Sequence, residues 1–113
     1  MSTAYLIVRA RLNALADRKK FDDWYRTEHL PEAVRKFEAR RAWRAWSRSN
    51  PMVHIALYEF ATVEEPEALI DSQVLDELIA GFDRAWGDRV TRTREIVEVE
   101  QEYVPPPLPP PSA

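Results

Sequence analysis

The segment from Tyr5 to Leu12 alternates between two sets of side chains with a period of two. One set is entirely apolar and consists of Leu6, Val8, Ala10 and Leu12. The other set includes two charged side chains and consists of Tyr5, Ile7, Arg9 and Arg11. Because successive side chains of a β-strand point to opposite faces, the pattern predicts a strand with one buried face.

Helical spacing replaces this alternation between residues 15 and 28. Trp24 and Tyr25 follow Phe21 by three and four residues, and charged side chains surround all three. Such spacing is typical of an amphipathic α-helix. We therefore predict a first helix with an aromatic stripe.

A proline follows this helix closely. Pro31 disfavours helical backbone at the preceding residue, but proline is favoured in the first turn of a new helix. We predict a break at His29 and Leu30, followed by a second short helical piece over residues 31–37.

Two further alternating segments cover residues 39–48 and 53–61. Ser49-Asn50-Pro51 lies between them and has the composition of a turn, so the two segments predict a hairpin. The second strand is largely apolar on both faces, and both faces therefore need cover. Helices cover a small sheet of this kind on one side only. We expect a second copy of the chain to cover the other side.

The last helical stripe is the longest and consists of Leu75, Leu78, Ile79, Phe82 and Trp86. Pro66 fits a first helical turn, so we expect helix from about this residue onwards. Gly87 stands where a left-handed C-terminal cap is common, and Val90 to Tyr103 returns to the alternation of a strand.

The predicted order is strand, helix, strand, strand, helix, strand. This order defines an α+β, ferredoxin-like β-α-β-β-α-β fold with an antiparallel four-stranded sheet. We assign residues 1–104 to this domain, which we expect to pair into a dimeric α/β barrel. Residues 105–113 are rich in proline and predict a disordered, extended tail.

Charge and composition limit the classes of partner that this chain is expected to bind. The chain has 113 residues, a formal net charge of −3 and no cysteine. A nucleic-acid-binding domain normally carries an excess of basic residues, so we expect no nucleic-acid partner. No stretch approaches the roughly 18 consecutive apolar residues of a membrane span, and we expect a cytoplasmic protein without a membrane partner.

The run from Trp24 to Glu32, with its aromatic pair followed by His29 and Pro31, resembles the end of helix one in EthD-like members of the dimeric α/β-barrel superfamily. This branch includes proteins similar to antibiotic-biosynthesis monooxygenases. The resemblance extends over roughly Tyr5 to Tyr103. It implies a homodimer with facing sheets and, in each subunit, a pocket between the sheet and the end of helix one. Fold alone does not identify the reaction, since relatives include monooxygenases, isomerases and cyclases.

His29 is the candidate catalytic residue, because an imidazole can exchange a proton near neutral pH and a helix break would expose it. The alternative is a structural role at a helix end. Tyr25 is the candidate pocket residue beside it. His54 and Tyr58 share one face of the third strand and could flank one ligand, although His54 also fits a purely structural role in the sheet.

Trp43 and Trp46 have opposite parity on the second strand, so only one of them can face a given pocket. Trp43 is included among the candidate substrate-binding residues. Arg9, with Arg11 and Arg41, could bind a carboxylate or phenolate. The alternative for these arginines is salt bridging to acidic residues of the fourth strand, at positions 95, 98 and 100.

The chain has two histidines and no cysteine, and no acidic residues are spaced so that they would complete a metal site with the histidines. We predict no metal and no bound cofactor. Two functions remain open: a small enzyme acting on an apolar or aromatic carbonyl or phenolic substrate, and a non-catalytic binding or accessory dimer. A pocket well below roughly 300 Å³ in the dimer would count against small-molecule chemistry. A third possibility makes the proline-rich tail a ligand for a partner domain.

Overall fold

The computed structural model describes residues 2–112, and Met1 and Ala113, the outermost residues of the assigned domain and tail, lie outside it. Four strands form one antiparallel sheet in the order β2-β3-β1-β4. They are β1 (Ala4–Leu12), β2 (Arg41–Trp46), β3 (Val53–Phe60) and β4 (Val90–Glu98). The helices are α1 (Arg18–Trp24), α2 (Leu30–Phe37), α3 (Glu64–Leu69) and α4 (Gln73–Trp86). This arrangement confirms the predicted α+β, ferredoxin-like fold.

The predicted break at His29 and Leu30 is wrong. Both residues have right-handed helical dihedral angles, and a π-helical turn, Tyr25–His29, joins α1 to α2. The N–H of Leu30 donates to the carbonyl of Tyr25, five residues back. Pro31 has no N–H to offer an α-helical ladder, and the wider turn shifts the hydrogen bonding past it, so the chain stays helical.

The second and fourth strands are shorter than predicted. Glu38 ends α2 with a left-handed backbone at φ 55°, so the chain must turn before β2 can begin at Arg41. At the other end, the N–H of Val99 donates to the carbonyl of Thr3 at 2.8 Å, just outside β1. Strand β4 ends at Glu98, which lies opposite Ala4, the first residue of β1. Residues 99–112 have no regular secondary structure.

The helix expected from Pro66 onwards is divided in two. Asp71 has a positive φ of 64°, and Ser72 then caps α4 by accepting a hydrogen bond from the N–H of Leu75 at 3.2 Å. This is a standard N-terminal cap, which explains why a new helix begins here. Gly87 follows α4 with φ 56° and ψ −133°, a backbone region that only glycine enters readily.

The core lies between the helices and one face of the sheet, and Phe21 of α1 is at its centre. The predicted inner set of β1 is confirmed, since Leu6, Val8, Ala10 and Leu12 are all buried. Phe21 is fully buried, and the centroid of its ring lies 5.2–6.1 Å from those of six other rings. These belong to Trp24, Tyr25, Trp46, His54, Phe82 and Trp86.

The other face of the sheet carries apolar side chains that remain partly or largely exposed. They are Tyr5, Ile7, Trp43, Ala45, Val53, Ile55, Leu57 and Val97. Trp43 is 42% exposed and packs beside Tyr5, with 6.1 Å between ring centroids. At the edge of this open face, the buried carboxylate of Glu59 accepts hydrogen bonds from Tyr5, Arg40 and Arg41.

Replacing Phe21 by alanine should destabilise the protein by about 3–5 kcal/mol, because truncating a fully buried aromatic ring leaves a cavity. Urea unfolding followed by circular dichroism measures the change. Leu15→Ala is the control, since Leu15 is 58% exposed and its truncation should cost no more than about 0.5 kcal/mol. Equal effects of the two substitutions would contradict the central position of Phe21.

Candidate active site

The π-helical turn brings together the side-chain rings of Trp24, Tyr25 and His29. Trp24 stacks on His29 with 4.8 Å between ring centroids and an angle of 18° between the planes. Tyr25 meets the same imidazole edge to face, also at 4.8 Å. His29 is thereby held on both sides, and its ring nitrogens have no hydrogen-bond partner among residues 2–112.

A narrow cleft lies between the helices and the inner face of the sheet. Its walls combine apolar side chains with two tyrosines, one histidine and two arginines: Leu6, Val8, Tyr25, His29, Phe37, Tyr58, Leu75, Leu78, Ile79, Phe82, Arg92 and Arg94. The space has a volume of about 20 Å³. A cavity of this size holds about one water molecule, so a larger ligand requires the side chains to move.

A second, open groove reaches the same histidine from outside. It has a volume of about 360 Å³ and is lined by Trp24, Glu28, His29, Glu32 and Gly81. His29 therefore forms part of the wall of both spaces. The imidazole is the one titratable group that the cleft and the groove share.

Two phenols lie at the inner end of the cleft. The hydroxyl oxygens of Tyr25 and Tyr58 are 3.0 Å apart and share a hydrogen bond. Burial raises the pKa of Tyr25 to about 12 and raises that of Tyr58 well above its usual value. Both tyrosines are therefore protonated at neutral pH, so they can donate hydrogen bonds but do not serve as bases.

His29 is neutral at physiological pH. Burial is the main reason that its pKa falls from 6.5 to about 4, and repulsion from the positive charges of Arg92 and Arg94 lowers it further. A neutral imidazole has one nitrogen able to accept a proton. An anion placed near the two arginines would offset their charge and make this nitrogen more basic.

The structure divides the residues proposed from the sequence into three groups. Tyr25, His29 and Tyr58 line the cleft together. His54 does not line it, although it is fully buried and its ring lies 4.5 Å from that of Tyr25. It packs among Phe21, Tyr25 and Trp46, and its Nδ1 atom has no hydrogen-bond partner in the described part of the chain.

Arg9 and Trp43 lie on the open face, and the sheet separates them from the cleft. Arg9 forms an ion pair with Glu95 on the neighbouring strand, which was the alternative considered for it. Any binding role for these two residues therefore belongs to a different surface from that of His29.

Arg92 and Arg94 are the cleft residues that the sequence analysis missed. The signal was available, because Val90, Arg92, Arg94 and Ile96 share one face of β4, and its two ends are apolar. Reading that face as buried would have placed both arginines inside. Arginine is seldom found in a protein interior, so the two arginines made this face of β4 look exposed.

Known proteins resemble this chain in fold. No protein-family model matches its sequence, and no curated protein does so. A variant of SnoaB, a cofactor-independent oxygenase from Streptomyces nogalater, superposes with a TM-score of 0.65 at 10% identity, over 90% of this chain and 97% of that one. An EthD family protein from Bacillus halodurans gives 0.59 at 13% identity, over 84% and 97%.

A dimeric ferredoxin-like protein from an uncultured marine organism superposes with a TM-score of 0.55 at 14% identity, over 91% of this chain and all of that one. At these identities the agreement concerns the fold. The chain has the ferredoxin-like fold of EthD-like proteins and cofactor-independent oxygenases, which confirms the resemblance at that level.

Two other features bear on the class of site. Within residues 2–112, no group of three histidine or acidic side chains is placed to hold a metal ion. The same part of the chain contains no helix long and apolar enough to cross a membrane.

The buried histidines predict a loss of stability on mild acidification. Burial lowers the pKa of both His29 and His54 to about 4, whereas unfolded histidine titrates near 6.5. The unfolded chain therefore binds more protons as the pH falls below 6.5, which favours unfolding. For His54 alone, lowering the pH from 6.5 to 5 should cost about 2 kcal/mol.

Urea unfolding at several pH values between 7 and 5 measures this loss, and His54→Phe should remove roughly half of it. This window avoids Glu59, whose pKa the hydrogen bond from Arg41 holds near 2 and whose contribution is lost only below about pH 4.5. An unchanged pH dependence in His54→Phe would show that His54 is not buried in its neutral form.

Proposed function

We propose that this protein is a small enzyme without a bound cofactor that moves a proton on a small aromatic carbonyl or phenolic substrate. The observation that carries the proposal is the neutral imidazole of His29, which forms part of the wall of both the inner cleft and the open groove. SnoaB, which shares the fold, is a cofactor-independent oxygenase, and this supports the same broad class.

His29 accepts a proton from an acidic O–H or C–H bond of the substrate. The hydroxyls of Tyr25 and Tyr58 remain protonated and hydrogen-bond to substrate oxygens that approach them. Removing the proton leaves a phenolate or an enolate. This anion is the common starting point for isomerisation, for cyclisation and for reaction with dioxygen, so the proposed proton transfer is a first step rather than the complete reaction.

The size of the cleft favours a second candidate, a binding or accessory protein without catalysis. A volume of about 20 Å³ is far below the roughly 300 Å³ of an ordinary ligand site. In this alternative the side chains that fill the cleft serve packing alone. The enzyme proposal requires the cleft to open towards the groove, and His29 forms part of the wall between the two spaces.

The open face of the sheet supports a homodimer. Its eight apolar side chains include Trp43, Ile55 and Leu57, and a soluble monomer rarely leaves so continuous an apolar patch uncovered. A dimeric ferredoxin-like protein shares the fold. We propose that two copies pack these faces together as a dimeric α/β barrel, in which Trp43 is an interface residue.

Substituting Trp43 by glutamate should dissociate the dimer, because the interface would then bury a charge without a partner. Sedimentation velocity measures the mass of wild type and variant. Lys20→Glu, on the exposed surface of α1, is the control and should leave the mass unchanged. A wild-type protein that sediments as a monomer would contradict the dimer.

Replacing His29 by glutamine should abolish proton transfer while preserving most ligand affinity, because glutamine keeps a polar side chain but cannot act as a base. Ligand-observed NMR with phenols, quinones, lactones and short polyketide mimics identifies ligands, and turnover is then assayed with those that bind. We expect kcat to fall about 10²- to 10⁴-fold. A variant with full turnover would exclude His29 as the base, and ligands without turnover would favour the accessory role.

A further inference from the structure

We propose that Arg92 and Arg94 form an anion-binding subsite in the inner cleft for an aromatic ligand. The negative group that lies against the two guanidinium groups is a carboxylate, or the phenolate or enolate oxygen that carries the charge once the ligand has lost its proton. The inference deepens the proposed function, because it rests on the cleft being a ligand site. It adds the charge of the ligand and the residues that recognise it.

Strand geometry places both arginines on the inner face. Arg92 lies opposite Ala10 and Arg94 opposite Val8, two buried positions of β1. Residues two apart on a strand are separated by about 7 Å and point the same way. Two guanidinium groups at this spacing can contact the same small anion from neighbouring directions.

The charges in the cleft do not balance. No aspartate or glutamate lines it, although two arginines do. Arg92 is paired with Asp83 at 2.6 Å, but that carboxylate is 55% exposed and approaches from the surface of α4. Within residues 2–112, Arg94 has no ion-pair or hydrogen-bond partner. A partly buried positive charge without a partner is costly, and such a cost is typical of a binding site.

The remaining walls suit an aromatic ring. Arg92 lies over the ring of Phe82, with 3.8 Å from its guanidinium carbon to the ring centroid. Phe37, Leu78 and Ile79 surround the same space. Apolar walls with a cationic end match a flat apolar molecule that carries one negative group.

The ion pair with Asp83 keeps the guanidinium group of Arg92 over Phe82, at the wall of the cleft. While Arg92 lies over Phe82 and is only 13% exposed, it covers the space that a ring would need. An anion competes with Asp83 for the same guanidinium group. Weakening the pair should therefore make the subsite easier to open.

The experiment compares 4-nitrophenol, which ionises near neutral pH with a visible colour change, with its uncharged analogue 4-nitroanisole. Equilibrium dialysis of the wild-type protein at pH 8 should show tighter binding of the phenolate. Absorbance titration should show a lowered pKa for bound nitrophenol. Arg94→Gln should weaken phenolate binding about tenfold to a hundredfold, the worth of a hydrogen bond to a charged group.

Three further variants separate charge from packing. Arg94→Lys keeps the positive charge and should restore most of the pKa shift of the bound phenol, which a structural role would not. Asp83→Asn releases Arg92 and should tighten phenolate binding about two- to fivefold. Arg84→Gln removes one positive charge from the exposed surface of α4 and should change nothing.

Equal binding of phenolate and 4-nitroanisole, or no binding of either, overturns the subsite. So does an Arg94→Gln variant with wild-type affinity. The measurement is independent of turnover: phenolate binding that depends on Arg94, without catalysis by His29, would retain the subsite and reject the enzyme. Catalysis that depends on His29 without a preference for anions would do the reverse.

Discussion

The wide helical turn from Tyr25 to His29 is the local geometry on which both the fold and the candidate site depend. Its hydrogen bonds span five residues and carry the helix past Pro31, which could not donate to a regular α-helical ladder. Helix α2 can then continue and pack Ala33 and Phe37 into the core. The same turn stacks His29 on Trp24 and brings Tyr25 against it edge to face, so the position of the imidazole is a consequence of backbone geometry.

The protonation states of the histidine and the tyrosines in the cleft are set by burial and, for His29, also by the positive charges of two arginines. Burial removes water from His29 and favours its neutral form, and two nearby arginines act in the same direction. The tyrosines are kept protonated by the same loss of water. The site therefore presents one neutral acceptor, hydroxyl donors and two cations, and the proposed proton transfer with stabilisation of the resulting anion rests on this set of groups.

The sheet separates two kinds of surface on the same strands. Alternate residues of β1 and β3 build the covered face, where Leu6 and Tyr58 pack under the helices. Their neighbours form the open face, where Arg9 pairs with Glu95 and Trp43 is left partly exposed. The proposed proton transfer and the proposed self-association therefore depend on opposite faces of the sheet, because successive residues of a strand point to opposite sides.

Local patterns in the sequence determined the strands, their order and the inner face of β1, because side-chain periodicity depends on the backbone alone. They also identified Tyr25 and His29 as candidate site residues that lie close together. The alternation of β4 places Arg92 and Arg94 on one face with Val90 and Ile96. Only the tertiary structure decided that this face lines the cleft, that the helix continues through Pro31 and that His54 lies behind the cleft. The physical reason is that these outcomes depend on contacts between distant segments: β4 beside β1, α4 across the sheet, and a wide turn that packing stabilises. No local pattern specifies these contacts.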